Sequence, residues 1–167
     1  QILKRYVNFM NNPDEKTAVE QFGKGDKYFG ILTLMVTMPG LPMLGHGQIE
    51  GLAEKYGMEY RQAYWDEQTD SYLVERHKRE IFPLIRKRAL FAEVKDFLLY
   101  DFYTPEGLVN EDVYAYSNSL GAEHTLIIYY NRYASTKGWI RLSTPYPLKA
   151  TDQDERGYIK KSLGEGL

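Results

Sequence analysis

The chain has 167 residues, of which 43% are hydrophobic and 26% charged, with a formal net charge of −2. That is enough apolar material for one ordinary domain or two small packed units, and it suggests neither disorder nor a coiled coil. Acidic and basic residues are mixed rather than gathered into a basic stretch, which argues against nucleic acid as a partner.

There is no cysteine, so disulfides and thiolate-bound zinc are excluded. The most apolar run, residues 28–38 (YFGILTLMVTM), is shorter than the roughly 20 residues of a membrane helix, so it reads as a buried helix and no membrane partner is expected. No secretory signal is visible and the first residue is Gln1, so a further N-terminal segment is expected and the compartment stays open. Fifteen tyrosines offer flat apolar faces tipped with a hydroxyl, a chemistry that suits sugar-binding surfaces and β-sheet faces alike.

In chain order, residues 2–10 (ILKRYVNFM) predict a largely buried strand ending at Asn11-Asn12-Pro13. Residues 17–22 predict a short helix closed by Gly23 and Gly25. Asp26 is the expected N-cap of an apolar helix over 27–38, stopped by Pro39-Gly40. Residues 41–44 (LPML) predict a brief strand with Pro42 near its start. Strand, helix, strand is the repeating unit of a parallel sheet. An irregular stretch over 48–68 follows. Asp70 or Ser71 then caps an amphipathic helix reaching to about residue 92, with Leu73, His77, Ile81, Leu84 and Ile85 on one face, a Glu75–Arg79 surface pair, and a kink at Pro83.

From Lys95 the pattern changes to strand-like runs over 97–103, 113–117, 125–130 and 139–142, separated at Pro105-Glu106-Gly107, Gly121 and Lys137-Gly138 as in antiparallel hairpins. The tail from Lys149 is polar and patternless. A boundary is expected at 92–96, dividing an α/β part (1–93) from an antiparallel β part (94–167). A β-α-β unit with one more helix leaves a parallel sheet incomplete, because such sheets are covered on both faces. The first ninety residues therefore read as a slice of something larger.

The sharpest motif is Phe9-Met10-Asn11-Asn12-Pro13-Asp14-Glu15, directly after a strand. On residue chemistry alone it is a helix start: Asn12 as N-cap, Pro13 in the first helical position, and acids that suit the helix dipole.

In its wider setting, YVNFMNNPDE resembles the last signature region of the α-amylase family of glycoside hydrolases, in which a strand runs into Phe-x-x-Asn-His-Asp. Further on, MPGLPMLGHGQIEG resembles that family's eighth barrel strand, REIFPLIRKRALFAEV its last barrel helix, and VYAYSNSLGAEHTLIIYYN the hairpin of the β domain behind the barrel. The four segments cover most of the chain to about residue 148, in the family's order.

The resemblance implies a fragment of a TIM (β/α)8 barrel, holding its last two β-α units, followed by an antiparallel β-sandwich-like domain. It implies that Asp14, at a strand's C-terminal end where barrel enzymes place their chemistry, is the carboxylate that stabilises the transition state. Asn12 aligns with the family's asparagine and would bind substrate; His46, by its place in a glycine-flanked loop at a strand end rather than by the resemblance, is either a further substrate contact or an ordinary loop histidine. The implied substrate is an α-linked glucan or oligosaccharide, the implied partner the remainder of the barrel from the same parent chain, and no cofactor is implied.

Two positions depart from the family pattern. Pro13 stands where its histidine would, and Gly45-His46-Gly47-Gln48-Ile49-Glu50-Gly51 replaces its Tyr and Asp and shifts its Glu. Retaining glycoside hydrolysis also needs a nucleophilic carboxylate and an acid/base about 5–5.5 Å apart. The family draws these from its fourth and fifth strands, which these residues do not include, so the chain alone is expected to be inactive.

Other motifs carry less. His46, His77 and His124 have no metal-ligand spacing, and no metal is expected. The stretch from Asp152 to Leu163 begins like a calcium loop but places Leu163 where a glutamate is needed. Gly23-Lys24-Gly25-Asp26 lacks P-loop spacing. Tyr56, Tyr60, Tyr64 and Trp65 either stack on sugar or pack a barrel against its β domain. The expected function is thus a part of a retaining glycosidase or transglycosidase, the alternative a non-catalytic carbohydrate-binding or interaction module. A third possibility is an unrelated α+β domain, which a structure without parallel pairing between residues 6–10 and 41–44 would establish.

Overall fold

The computed structural model describes residues 2–55, 61–147 and 158–167, and the chain divides into two units, Gln1–Val94 and Lys95–Leu167. Among the described residues the secondary structure is mixed α/β, with one four-stranded antiparallel sheet and two two-stranded sheets.

The first unit begins with a 3-10 turn, Leu3–Arg5, and the strand β1, Val7–Phe9. The strand expected over 2–10 is therefore shorter, and it is not largely buried: Val7 and Phe9 are exposed. Thr17 caps the short helix α1, Ala18–Phe22, its side chain accepting from the Glu20 N–H. Helix α2, Asp26–Thr37, carries Tyr28, Phe29, Leu32, Met35 and Val36 into the core, at the three- and four-residue spacing of a buried helical stripe. Asp26 does not cap it. Gly25 holds the N-cap position, and the Asp26 carboxylate reaches out to Arg76 at 2.7 Å instead.

After α2 the backbone turns through Met38-Pro39-Gly40 into β2, Leu41–Met43. Gly40 is required here: its φ is +110°, and a Cβ would lie 2.6 Å from the Tyr6 carbonyl. That carbonyl accepts from the Leu41 N–H at 2.9 Å and starts the pairing. β1 and β2 run parallel in the register Val7↔Leu41, Asn8↔Pro42, Phe9↔Met43. Helix α2 is the crossover between them.

The expected long helix is broken into α3 (Ser71–Arg76), a π-helical turn (His77–Ile81), α4 (Phe82–Arg86) and α5 (Arg88–Ala92). Asp70 caps α3 through the Leu73 N–H. Pro83 falls in the first turn of α4, where its missing N–H costs nothing, and the wider π turn comes just before it. The same turn alters side-chain spacing. Glu75 pairs with Lys78 rather than with Arg79, which turns to Glu80. The expected apolar face survives: Leu73, His77 and Ile81 are fully buried, with Leu84 and Ile85 packed against them.

Arg88, at the start of α5, closes this unit. Its guanidinium donates to the carbonyls of Val36 (2.7 Å), Met38 (2.9 Å) and Gly40 (2.7 Å), the free backbone acceptors where α2 ends.

In the second unit, β3 (Leu98–Tyr103), β4 (Val113–Leu120), β5 (Glu123–Tyr130) and β6 (Trp139–Ser143) form an antiparallel sheet in the order β5-β4-β3-β6. Leu98, Tyr100 and Ala115 form its core with Leu126, Ile140, Tyr146 and Leu163. Just before the tail expected to be patternless from Lys149 lies β7 (Tyr146–Pro147); within the tail are its partner β8 (Tyr158–Ile159) and a last turn of helix, α6 (Leu163–Gly166). The stretch Asp152 to Gly157 lies outside the described residues. Among the described residues no helix is long and apolar enough to cross a membrane.

Because Arg88 satisfies three carbonyls at once, Arg88→Ala is expected to cost about 2–4 kcal/mol in urea unfolding monitored by circular dichroism. Arg88→Lys should recover less than half of that, since a single ammonium cannot reproduce the guanidinium fork. An Arg88→Ala midpoint equal to that of the unaltered chain would show that solvent replaces these bonds.

Candidate functional site

The residues that follow β1 and β2 meet at the C-terminal ends of those strands and enclose a cleft of about 230 Å³. Asn11, Asn12, Pro13 and Glu15 line it from the β1 side; Met43, Leu44, Gly45 and His46 from the β2 side; Thr17, Glu54 and Lys55 complete it. Asn12 and His46, both expected to contact substrate, are thus brought together. Asp14 is not among the lining residues. It is exposed beside the cleft, where its carbonyl accepts from Lys55 Nζ at 2.8 Å.

Local hydrogen bonding explains this arrangement. Asn12 Oδ1 accepts from the N–H groups of Asp14 (2.9 Å) and Glu15 (3.0 Å), closing an Asx turn that fixes the chain through Pro13. That is the local helix-start chemistry read from the sequence, though the turn stops without propagating: residues 13–15 are turn and bend, and α1 begins at Ala18. The Asn12 carboxamide oxygen is therefore committed to the backbone, and its Nδ2 is the end that remains to donate to a ligand.

The cleft floor is polar and buried. Asn11, 6% exposed, packs its carboxamide flat on Gly45, where a Cβ would sit 2.5 Å from Nδ2. Its Oδ1 is buried and accepts no hydrogen bond from the described residues. Gln48, 2% exposed, accepts from the Gly45 N–H at 2.9 Å and donates to Met10 Sδ at 3.3 Å, joining the ends of both strands.

Beneath the floor runs a buried chain of hydrogen bonds. Tyr28 Oη lies 3.0 Å from the Gln48 carbonyl and 3.0 Å from His77 Nε2, while His77 Nδ1 lies 2.8 Å from the Leu73 carbonyl. A carbonyl only accepts, so Nδ1 carries the imidazole proton and Nε2 of the neutral ring is an acceptor. The single Tyr28 hydrogen then serves Gln48 or His77, one at a time. Burial pushes the His77 pKa down, against the Leu73 hydrogen bond and the charges of Glu50 and Glu80. Burial also pushes the Tyr28 phenol up, keeping it protonated.

Two carboxylates shape the irregular stretch. Glu67 accepts from the N–H groups of Ala53 and Glu54, both at 2.7 Å. Glu54, 6% exposed, accepts in turn from Tyr64 (2.7 Å) and Trp65 (3.0 Å). This reciprocal clamp holds one wall of the cleft. Sequence reasoning missed it, as it missed Asn11 and Gln48, because the four residues sit in irregular segments with no periodicity to mark them. Of the four expected stacking aromatics, Tyr56 and Tyr60 lie outside the described residues, and Tyr64 and Trp65 are exposed.

His77 is buried under α2, and His124 lies on β5 in the other unit. Among the described residues no three His, Asp or Glu side chains gather as a metal would require. Comparison of the chain with known protein families, with curated proteins and with solved structures returns no match.

The folded chain holds His77 neutral where the unfolded chain protonates near the ordinary 6.5. Stability is accordingly full above that value and falls as pH drops through it, because only the unfolded state takes up the proton. Urea midpoints measured from pH 7.5 to 5 should decline, and His77→Gln should flatten the decline while lowering the midpoint at pH 7.5. An equal slope in both proteins would exclude His77 as the source.

Proposed function

We propose that this chain is the C-terminal part of a retaining glycosidase or transglycosidase of the α-amylase type, contributing the last two β-α units of a (β/α)8 barrel and the β domain that follows. The observation that carries this reading is the parallel β1–β2 pair with a polar cleft at its C-terminal ends, built from the segments that resemble the family's last signature region and its eighth strand. Barrel enzymes assemble their sites at that end of the strands.

A second observation supports it. Side chains alternate along a strand, and Val7, Phe9, Leu41 and Met43 fall on one face of the pair, each 36–62% exposed. A parallel sheet is ordinarily covered on both faces. Four apolar side chains on an open face are what the inside of a barrel would supply once its other strands are present.

In this reading the substrate is an α-linked glucan. Asn12 Nδ2 and His46 bind sugar hydroxyls, and Asp14 stabilises the positive charge that develops on the sugar ring. The Asp14 carboxylate would have to turn from its exposed position toward the cleft when substrate and the remaining strands are in place. The nucleophile and the acid/base belong to those strands. A second reading, a non-catalytic carbohydrate-binding or interaction module, is favoured by one feature: Asp14 stands outside the cleft while Asn12 and His46 line it.

An assay on a synthetic α-glucoside separates the two. The full-length protein should hydrolyse or transfer, Asp14→Asn should lower its kcat by about 10²–10³-fold, and the 167-residue chain alone should show no turnover. Sugar binding without turnover by the full-length protein would favour the module. Turnover by the chain alone would overturn its assignment as a part.

A further inference from the structure

Trp65 is 58% exposed and Tyr64 69% exposed, although both are large aromatic side chains whose burial would stabilise the fold. Their backbone is nevertheless firmly held. Both N–H groups donate to the Glu54 carboxylate, which is itself buried and lines the cleft. Glu54 is anchored in turn, since its own N–H and that of Ala53 donate to Glu67. Two charge-assisted bonds of 2.7 and 3.0 Å thus tie the backbone of two adjacent aromatics to the cleft wall, two more anchor that wall, and both aromatic residues stay more than half exposed.

We propose that Trp65, with Tyr64 beside it, is a stacking platform for sugar units that extend beyond the cleft, and that Glu54 and Glu67 are its positioning residues. The cleft holds about 230 Å³, the order of a single sugar ring, so a longer chain must continue over its rim. The occupant fits the chemistry of both parts. Asn12 and His46 offer hydrogen bonds to hydroxyls, and Glu15, Glu54 and Lys55 mix both charge signs, which favours a neutral polyhydroxylated ligand over an anion or cation. An exposed indole offers a flat apolar face to the C–H side of a pyranose ring. The inference rests on the glucan reading and assigns Trp65 to units outside the cleft, where it governs preference for chain length rather than chemistry.

The test uses the whole chain, which has two tryptophans, Trp65 and Trp139. In a Trp139→Phe variant the remaining indole is Trp65, and its fluorescence should change on addition of maltopentaose. By calorimetry, Trp65→Ala should weaken maltopentaose binding about five- to tenfold while leaving maltose binding within twofold. Trp65→Phe should keep most of the affinity. If the unaltered chain binds both sugars and Trp65→Ala binds maltopentaose equally well, the platform is overturned and the glucan reading stands. If the unaltered chain binds neither sugar, binding at the cleft fails and the platform with it.

Discussion

One guanidinium turns the first unit. A helix ends with backbone carbonyls that have no partner inside it, and the turn after α2 passes through Gly40, whose neighbours leave little room for a side chain. Arg88 meets the carbonyls of Val36, Met38 and Gly40 together. That contact fixes the angle at which the chain leaves α2, the Leu41–Tyr6 hydrogen bond then sets β2 parallel to β1, and the two strands end side by side. The cleft exists because they do. Burial lowers the Arg88 pKa somewhat, an expected cost of taking a cation out of water that the three carbonyl contacts offset.

The same geometry leaves one face of the β1–β2 pair open. Val7, Phe9, Leu41 and Met43 show an apolar face to solvent, while α2 packs against both strands. The balance differs at the strand ends, where the floor residues Asn11 and Gln48 are almost wholly buried and polar. Polar side chains at such depth are retained where they orient backbone or meet a ligand. Gln48 does the first, binding the Gly45 N–H. Asn12 does the same through Oδ1, so the cleft's geometry is set by side chains whose hydrogen bonds are largely internal.

Much of this was legible in the sequence. The stripe of α2, its stop at Pro39-Gly40, the Thr17–Phe22 helix and the hairpin runs after Lys95 each follow from a pattern tied to one local cause, and the structure shows elements at each. Where sequence and structure part, the cause is an interaction that periodicity does not record. Asp26 was free to cap α2, but Arg76 offered a charge partner. Glu75 and Arg79 have the right spacing for a straight helix, but a π turn intervenes. Apolar residues in a strand are usually covered, which predicts a buried strand at 2–10, but one face of the pair lies exposed, with Val7 and Phe9 on it. The Glu54–Glu67 clamp joins residues thirteen apart through backbone N–H groups, a contact to which side-chain pattern is blind. The last elements, β7, β8 and α6, of two to four residues each, are too short to show a period.

The central claim is that β1 and β2 are neighbouring strands of a larger closed parallel sheet. A crystal structure of the protein translated from the full open reading frame tests it most directly. The account predicts further parallel strands on the outer edges of β1 and β2, with Val7, Phe9, Leu41 and Met43 buried inside the closed sheet. A structure in which the pair remains two-stranded, with those four side chains still in solvent, would contradict it.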